Sequence, residues 1–431
     1  MRLGAGHQPI PEADLPPGWI TSSIGDACEM VQGGRLGLTK EKDYRSSGFS
    51  AYSAAGQDGF VEASEFKQEG VVLSAIGANC GRCFYAHGKW TTLANVQAIL
   101  PDIQRLSAKF LYHRANVDGF WPRSGSAQPF IKPSDVLKCW VAHPKDISEQ
   151  SRIAAVLDTV DEAIVKTEGV IAKLKQVRAG LLHDLLTRGL DEHGQLRDPV
   201  AHPEQFQDSP LGRIPREWKV SPFREFGTSD RPYLKTGPFG SSLKQEHWVA
   251  EGVPVVTIGS LGEGEFIPSE ILHVSKETAR VLAAYSLLPG DIVFSRVADV
   301  GRSVVVTEAE RGWIISSNMM WISLDRKKAD PRYVQLNISA NAMVRRQIET
   351  LVNSAGREVA NAAVINSLRL PWAPYTEQKR IVLVLRATDT HLHGEQITLN
   401  KLYLLKSGLM HDLLTGRMRV PEGIADGGEH T

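Results

Sequence analysis

A stretch of 44 residues occurs twice without a gap, at 147–190 and again at 375–418. The first copy reads ISEQSRIAAVLDTVDEAIVKTEGVIAKLKQVRAGLLHDLLTRGL and the second YTEQKRIVLVLRATDTHLHGEQITLNKLYLLKSGLMHDLLTGRM, with 16 of the 44 positions identical. Glu149-Gln150 returns as Glu377-Gln378, and the run His183–Thr187 returns as His411–Thr415. So long a period marks a duplicated module rather than a stack of short repeats. The chain is therefore expected to have two similar halves, each ending in a long helix.

Both copies carry an apolar seam that steps alternately by four and three. In the first it runs through Ile153, Leu157, Val160, Ile164, Ile171, Leu174, Leu181 and Leu185, broken at Thr167 and Arg178. In the second it runs through Ile381, Leu385, Leu392, Leu399, Leu402, Leu409 and Leu413, with irregular positions at Thr388, Glu395 and Lys406. A sustained 3.5-residue repeat predicts a coiled coil. Two amphipathic helices, each packed only on its own domain, are the competing reading, but globular helices seldom run so long. Antiparallel pairing of the two copies about a pseudo-twofold predicts Arg178 near Glu395 and Thr167 near Lys406. Such seam breaks are expected to set register, as buried polar positions can; the alternative is that Arg178 and Lys406 snorkel out of the seam.

The remaining sequence divides around these helices. Residues 1–14 read as a loose tail, 15–146 as a first globular domain, 191–213 as a polar, Pro-containing linker, 214–374 as a second globular domain, and 419–431 as a tail. Leu15-Pro16-Pro17-Gly18-Trp19 opens the first domain and Ile214-Pro215-Arg216-Glu217-Trp218 the second. Short β-prone runs, Val71–Ser74 and Ile292–Ser295, each lead into a loop that ends at a glycine, Gly81 or Gly301. Val253–Ile258, Trp313–Ser316 and Trp321–Leu324 also read as strands, and Arg332–Leu351 as helix. Each domain is read as α+β. The helices are alike and the domains have diverged, so the domains read as two different readers on one frame.

With 431 residues and zero formal net charge, composition is that of an ordinary globular chain and does not announce nucleic-acid binding. The two globular segments carry a basic excess of only about two to three charges. No apolar run is long enough for a membrane span, and the N-terminus lacks a signal-peptide core; a cytoplasmic location is the expectation. Four cysteines suggest reduced thiols rather than a disulfide framework.

Motifs for chemistry are missing. There is no phosphate loop of the GxxxxGK[ST] type and no glycine-rich dinucleotide or S-adenosylmethionine fingerprint. Asp230-Arg231-Pro232-Tyr233 lacks the second proline of an aminomethyltransferase box. Cys80-Gly81-Arg82-Cys83 has CxxC spacing, but Cys28 and Cys139 stand apart, so a glycine-containing loop is favoured over zinc. Glu65-Phe66-Lys67 has no identifiable partner carboxylate. His183-Asp184 and His411-Asp412 are sequence neighbours that point apart on a helix, which suits contact with a partner protein or solvent rather than a catalytic dyad.

Two divergent domains with two repeated long helices resemble the specificity subunit of type I restriction–modification systems. The run Thr236-Gly237-Pro238-Phe239-Gly240-Ser241-Ser242-Leu243-Lys244 looks like the opening of that family's target recognition domains, and Gly252–Val256 follows. Leu288–Arg296 resembles its Gly-Asp-apolar-apolar-x-Ser-Arg strand. Glu149–Ile153 and Glu377–Ile381 resemble its EQ-x-RI helix start. The chain departs from the pattern at Ala298, where the family often has Gly, and at Ala75, which stands where the second domain has Arg296. Residues 31–40 (VQGGRLGLTK) offer no clear counterpart of the 236–244 motif.

The resemblance implies an α+β fold with a pseudo-twofold internal repeat: two mixed target recognition domains and two long helices in an antiparallel coiled coil. It implies a non-catalytic subunit that reads double-stranded DNA, each domain taking one half of a bipartite asymmetric site. The helices would set the spacing and dock two methyltransferase subunits. S-adenosylmethionine, ATP and Mg would belong to those subunits and to motor-nuclease subunits, with no cofactor or metal in this chain. About 40 helical residues at ~1.5 Å each span roughly 60 Å. The expected DNA contacts are Lys235, Ser241, Ser242, Lys244, Arg296, Arg302 and Arg357 in the second domain. In the first they are Arg82, Arg123, Ser124, Ser126 and Lys132. His183, Asp184, His411 and Asp412 are the expected partner contacts. The competing readings are the recognition portion of a single-chain restriction–methyltransferase and a coiled-coil scaffold without DNA binding.

Overall fold

The computed structural model describes residues 6, 9–239, 242–262, 264–354 and 359–422. The chain forms two compact units, each containing one globular domain and a portion of both long helices. One unit takes the chain up to Val170 and from Glu395 onward; the other is Ile171–Gly394.

In the first unit the domain opens with strand β1 (Trp19–Ser23) and closes with β9 (Trp140–Pro144), which pair antiparallel. Between them run β2 (Cys28–Gln32), β3 (Phe49–Ser53), β4 (Gly56–Val61), β5 (Gly70–Ser74), β6 (Cys83–Ala86), β7 (Trp90–Thr92) and β8 (Val96–Pro101). They form two small sheets, ordered β2-β8-β5-β6 and β4-β3-β7. β5 and β8 are buried at every position, because both faces of their sheet are covered and a continuous apolar run suits that place. Val71, Leu73 and Ile99 pack with Phe110 of the helix Ala108–Ala115, whereas Val72, Ala98 and Leu100 face Tyr52 and Trp90.

The second unit begins its domain with the hairpin β10 (Phe206–Ser209) and β11 (Gly212–Pro215). Then come β12 (Lys219–Pro222), β13 (Leu234–Thr236), β14 (Trp248–Val249), β15 (Val253–Val256), β16 (Leu272–Val274), β17 (Ile292–Ser295), β18 (Ser303–Val305), β19 (Ile314–Ile315), β20 (Met319–Ile322) and β21 (Arg369–Trp372). β12 pairs with β21 as β1 does with β9. The sheets run β13-β20-β17-β18 and β14-β16-β15-β19. β15 lies parallel to β19, as β3 does to β7. Strand for strand, β2, β8, β5 and β6 correspond to β13, β20, β17 and β18. The faint sequence likeness of the two domains therefore conceals a shared topology.

The long helices are Ile147–Thr187 and Tyr375–Leu413, a few residues shorter at the C-terminus than the repeats. Every expected seam residue is buried or half-buried, while Val165, Val177 and Leu404 are exposed. Within each unit the two helix segments run antiparallel. In the first, Lys406 pairs with Asp161, and Tyr403 donates to Glu168 at 2.6 Å; in the second, Arg178 pairs with Asp389. This corrects the expected register. Lys406 meets Asp161 rather than Thr167, and Arg178 meets Asp389 rather than Glu395. Both carboxylates stand beside the seam, Asp161 in the first helix and Asp389 in the second.

The repeated Glu-Gln pair fastens each helix to its own domain. Gln150 Oε1 accepts from Ser107 N at 2.8 Å, and Gln378 Oε1 accepts from Asp330 N at 2.9 Å. Ser107 and Asp330 are themselves N-caps of domain helices. Glu149 ion-pairs with Arg419, and Glu377 with Arg197 at 2.7 Å. Glu377 also accepts from Trp218 Nε1 at 3.1 Å and from Leu190 N at 2.8 Å. The 191–213 linker is anchored through buried Arg197 and enters the hairpin, and in the N-terminal tail Gly6 N donates to Phe120 O at 3.2 Å.

Candidate nucleic-acid interface

Two loops leave the same end of the four-stranded sheet in both domains. The first follows β2 or β13. Gly33 N donates to Val96 O at 2.9 Å, and Gly237 N to Met319 O at 3.0 Å. Only glycine fits either place: a Cβ on Gly33 would lie 2.4 Å from Leu93 O, and on Gly237 2.0 Å from Ser316 O. The second loop follows β5 or β17. It is closed by Ser74 N to Arg82 O and Ser295 N to Arg302 O, both 2.9 Å. At its tip Gly77 has φ +89° and Ala298 φ +58°. Ala298 therefore adopts left-handed backbone that strains a residue with a Cβ.

The register is the same in both sheets, since Ser74 stands opposite Val96 and Ser295 opposite Met319. Gly33 thus corresponds to Gly237, and Lys40 to Lys244. The segment 31–40 is the counterpart of the 236–244 motif after all. Arg35 and Lys40 were not among the expected contacts, although a glycine after a β-run with lysine seven positions on was a legible signal in both domains; Lys40 pairs with Asp58.

The second domain uses several expected DNA contacts to brace itself. Lys235 Nζ donates to Ala284 O at 2.6 Å and stands 4.6 Å from the Tyr285 ring centroid. Arg296 donates from Nε to Ala360 O at 3.1 Å and from an η nitrogen to Ser317 O at 2.9 Å. Burial pulls its guanidinium below the ordinary arginine value. Arg302 donates to Leu261 O at 2.9 Å and pairs with Asp299 at 3.4 Å. Ser242 and Lys244 are exposed, with Lys244 3.8 Å from Glu246. Ser241 and Arg357 lie outside the described residues.

In the first domain Arg82, Arg123, Ser126 and Lys132 are exposed, and Ser124 is half-buried. Arg123 lies over Gly81 and pairs with Asp118 at 3.1 Å; Ser124 N donates to Phe130 O at 2.8 Å. Lys132 precedes the short helix Pro133–Leu137. Cys80 and Cys83 are buried in this domain's core. Cys83 Sγ accepts from Trp121 Nε1 at 3.3 Å, and burial pushes its thiol up to about 12. Among the described residues no group of His, Cys, Asp and Glu could hold a metal ion, and no helix is long and apolar enough to cross a membrane.

The repeated HDLLT run ends each helix. Thr187 donates to His183 O at 2.7 Å and Thr415 to His411 O at 2.5 Å, while Gly189 and Gly416 follow in left-handed backbone. His183 is exposed, whereas Asp184 pairs with Arg188 and His411 bonds Arg417. Asp412 is half-buried, and its backbone carbonyl accepts from Arg417 N at 2.9 Å. Much of the run's recurrence is thus explained by helix termination.

Residues 16–176 match the family model described as the type I restriction modification DNA specificity domain. Among curated proteins, the chain is 27% identical to a putative type I restriction enzyme MjaX specificity subunit of Methanocaldococcus jannaschii, covering 94% of this chain and 95% of the relative. It is 20% identical to the MjaVIII specificity subunit of the same organism, over 94% of each. The solved S subunit of a type I restriction–modification system from M. genitalium has the same fold, with a TM-score of 0.59 at 16% identity, covering 92% of this chain and 96% of that one. A chain from a structural study of complex assembly and conformational transition of the type I R-M system aligns with a TM-score of 0.51 at 16% identity, over 94% of this chain and 99% of its own.

Proposed function

We propose that this chain is a specificity subunit of a type I restriction–modification system, a DNA sequence-recognition role that its matches support, and that each of its domains reads one half of a bipartite, asymmetric DNA site. The observation that carries this reading is a pair of domains with one topology and different loops. A common scaffold suits a common task, docking beside a duplex; unlike loop side chains suit unlike half-sites. Phosphate contacts position a reader and base-edge contacts specify. The exposed Ser242, Lys244, Arg82, Arg123, Ser126 and Lys132 are the side chains offered to DNA.

The repeated helices set the distance between half-sites and dock two methyltransferase subunits. Specificity subunits are non-catalytic components of these systems. Adenine methylation from S-adenosylmethionine, and ATP- and Mg-dependent translocation and cleavage, fall to the partner subunits. Mapping N6-methyladenine across the genome of a host with and without this chain tests the reading. The expected result is loss of one bipartite, asymmetric motif on removal; an unchanged methylation pattern would overturn it.

A further inference from the structure

Ala75 stands where the second domain carries Arg296, yet the backbone around both residues is held alike. Ala75 N donates to Asn95 O and Arg296 N to Asn318 O, both at 3.0 Å. Ala75 O accepts from Ile131 N at 2.9 Å, and Arg296 O from Ala360 N at 2.8 Å. Isolated bridges one residue on, Ile76 to Phe130 and Val297 to Val359, complete the match. A segment from later in the chain is thus laid against the same loop in each domain. In the second domain Arg296 Nε fastens that segment by donating to Ala360 O at 3.1 Å. In the first, the methyl group of Ala75 has nothing to donate to the matching carbonyl, that of Ile131.

Gln97 makes that bond instead: its Nε2 donates to Ile131 O at 3.3 Å. Gln97 stands opposite Leu73 in the first sheet, as Met320 stands opposite Phe294 in the second, so the two positions correspond. Met320 lies fully buried in an apolar core, and Gln97 is only 3% exposed. An amide buried where an apolar side chain would fit carries a desolvation cost, and Gln97 Oε1 has no partner among the described residues. Arginine with methionine in one domain has become alanine with glutamine in the other, and the carbonyl stays paired. Ile131 is the foot of a hairpin, in which Ser124 N donates to Phe130 O at 2.8 Å and Phe130 N to Ser124 O at 2.9 Å. The tip of that hairpin, 125–128, is exposed.

We propose that Gln97 is the positioning residue of the first domain's reading surface, holding the Ser124–Phe130 hairpin against the loop at Ala75 so that its tip meets one half-site. From a neighbouring strand it replaces the brace that Arg296 supplies in the second domain. Gln97 is buried and acts through the hairpin rather than on a base. Without its bond the Ile131 carbonyl is a buried acceptor lacking a donor, which is costly, and the segment shifts outward to reach water. The inference rests on the function proposed above and adds what aims one of its two readers.

The test uses the complete chain, alone and with its methyltransferase subunits. Gln97→Met imports the second domain's residue at one position; Gln97→Met with Ala75→Arg imports it at both. In amide hydrogen exchange of the chain alone, Gln97→Met should speed exchange across Ser124–Phe130 by about 2- to 10-fold, and the double variant should slow it again. In mapped methylation the single variant should lose a similar factor of discrimination in one half-site only, regained in the double. The unfolding temperature should change little, because Gln97→Met also removes the unpaired Oε1. Unchanged exchange at the hairpin overturns the proposal. So does faster exchange with an unchanged motif, damage to both half-sites, or an unfolding temperature that falls in step with discrimination. Where the double variant does not fold, the reciprocal exchange decides: Met320→Gln should restore discrimination lost in Arg296→Ala, and no recovery overturns the proposal. A wild type that yields no bipartite motif removes the underlying function instead, while hydrogen exchange still reports whether Gln97 holds the hairpin.

Discussion

Glu149 and Glu377 show how far a repeated pair of letters can be read. Their recurrence announces a common role, and the structure makes it a fastening of helix start to domain. The partners were not legible: Arg197 and Arg419 lie far from their carboxylates along the chain and share no motif. The two fastenings also differ in depth. Arg197 is buried against Glu377, whereas the Arg419 side chain is about half exposed, at 51%. Removing one partner of a buried ion pair strands the other charge, at a cost of about 3–5 kcal/mol, whereas exposed pairs contribute about 0–1 kcal/mol. Glu377→Ala should therefore destabilise the chain by about 3–5 kcal/mol in urea unfolding, and Glu149→Ala by distinctly less. Equal losses would show that burial of the arginine is not what matters. Ala298 is a second residue-scale case. A departure from the family pattern in the sequence coincides with left-handed backbone, and its topological counterpart, Gly77, shows what the position prefers.

At the scale of elements, the heptad seam placed both long helices and their inward faces, but not their register. Sliding an apolar stripe by a heptad costs little, because one leucine replaces another; a carboxylate displaced from its cation is the sharper penalty. In the first unit that role falls to Asp161 and Lys406, both about three-quarters buried, at 27% and 25% side-chain exposure. Either single reversal, Asp161→Lys or Lys406→Asp, should lower stability by roughly 0.5–1 kcal/mol, with the double reversal recovering most of it. A double variant no better than the singles would assign the register to the seam alone. The strands follow a similar division. β17 was legible as a buried run in the sequence, but its neighbours β20 and β18 follow it in the chain and flank it on opposite sides, which no periodicity reports.

For the whole molecule, the prediction concerns length. Each added heptad lengthens a helix by roughly 10 Å, about three base pairs at ~3.4 Å each. Inserting seven residues into both helices should therefore shift the spacer of the methylated motif, and a spacer unchanged in methylation mapping would remove the helices as its ruler. By itself the sequence determined the duplication and the two long helices with their seam, because those are properties of spacing along one chain. Tertiary structure decided the helix register, the partners of the repeated glutamates and the shared topology of two domains that look unrelated as text. It also showed that Lys235, Arg296 and Arg302 brace their own domain while Ser242 and Lys244 stand exposed. The physical reason is that an arginine reads the same whether it faces solvent or a neighbouring carbonyl. Which it does depends on residues tens of positions away, such as Ala360 beside Arg296 and Leu261 beside Arg302, that only folding brings within hydrogen-bonding distance.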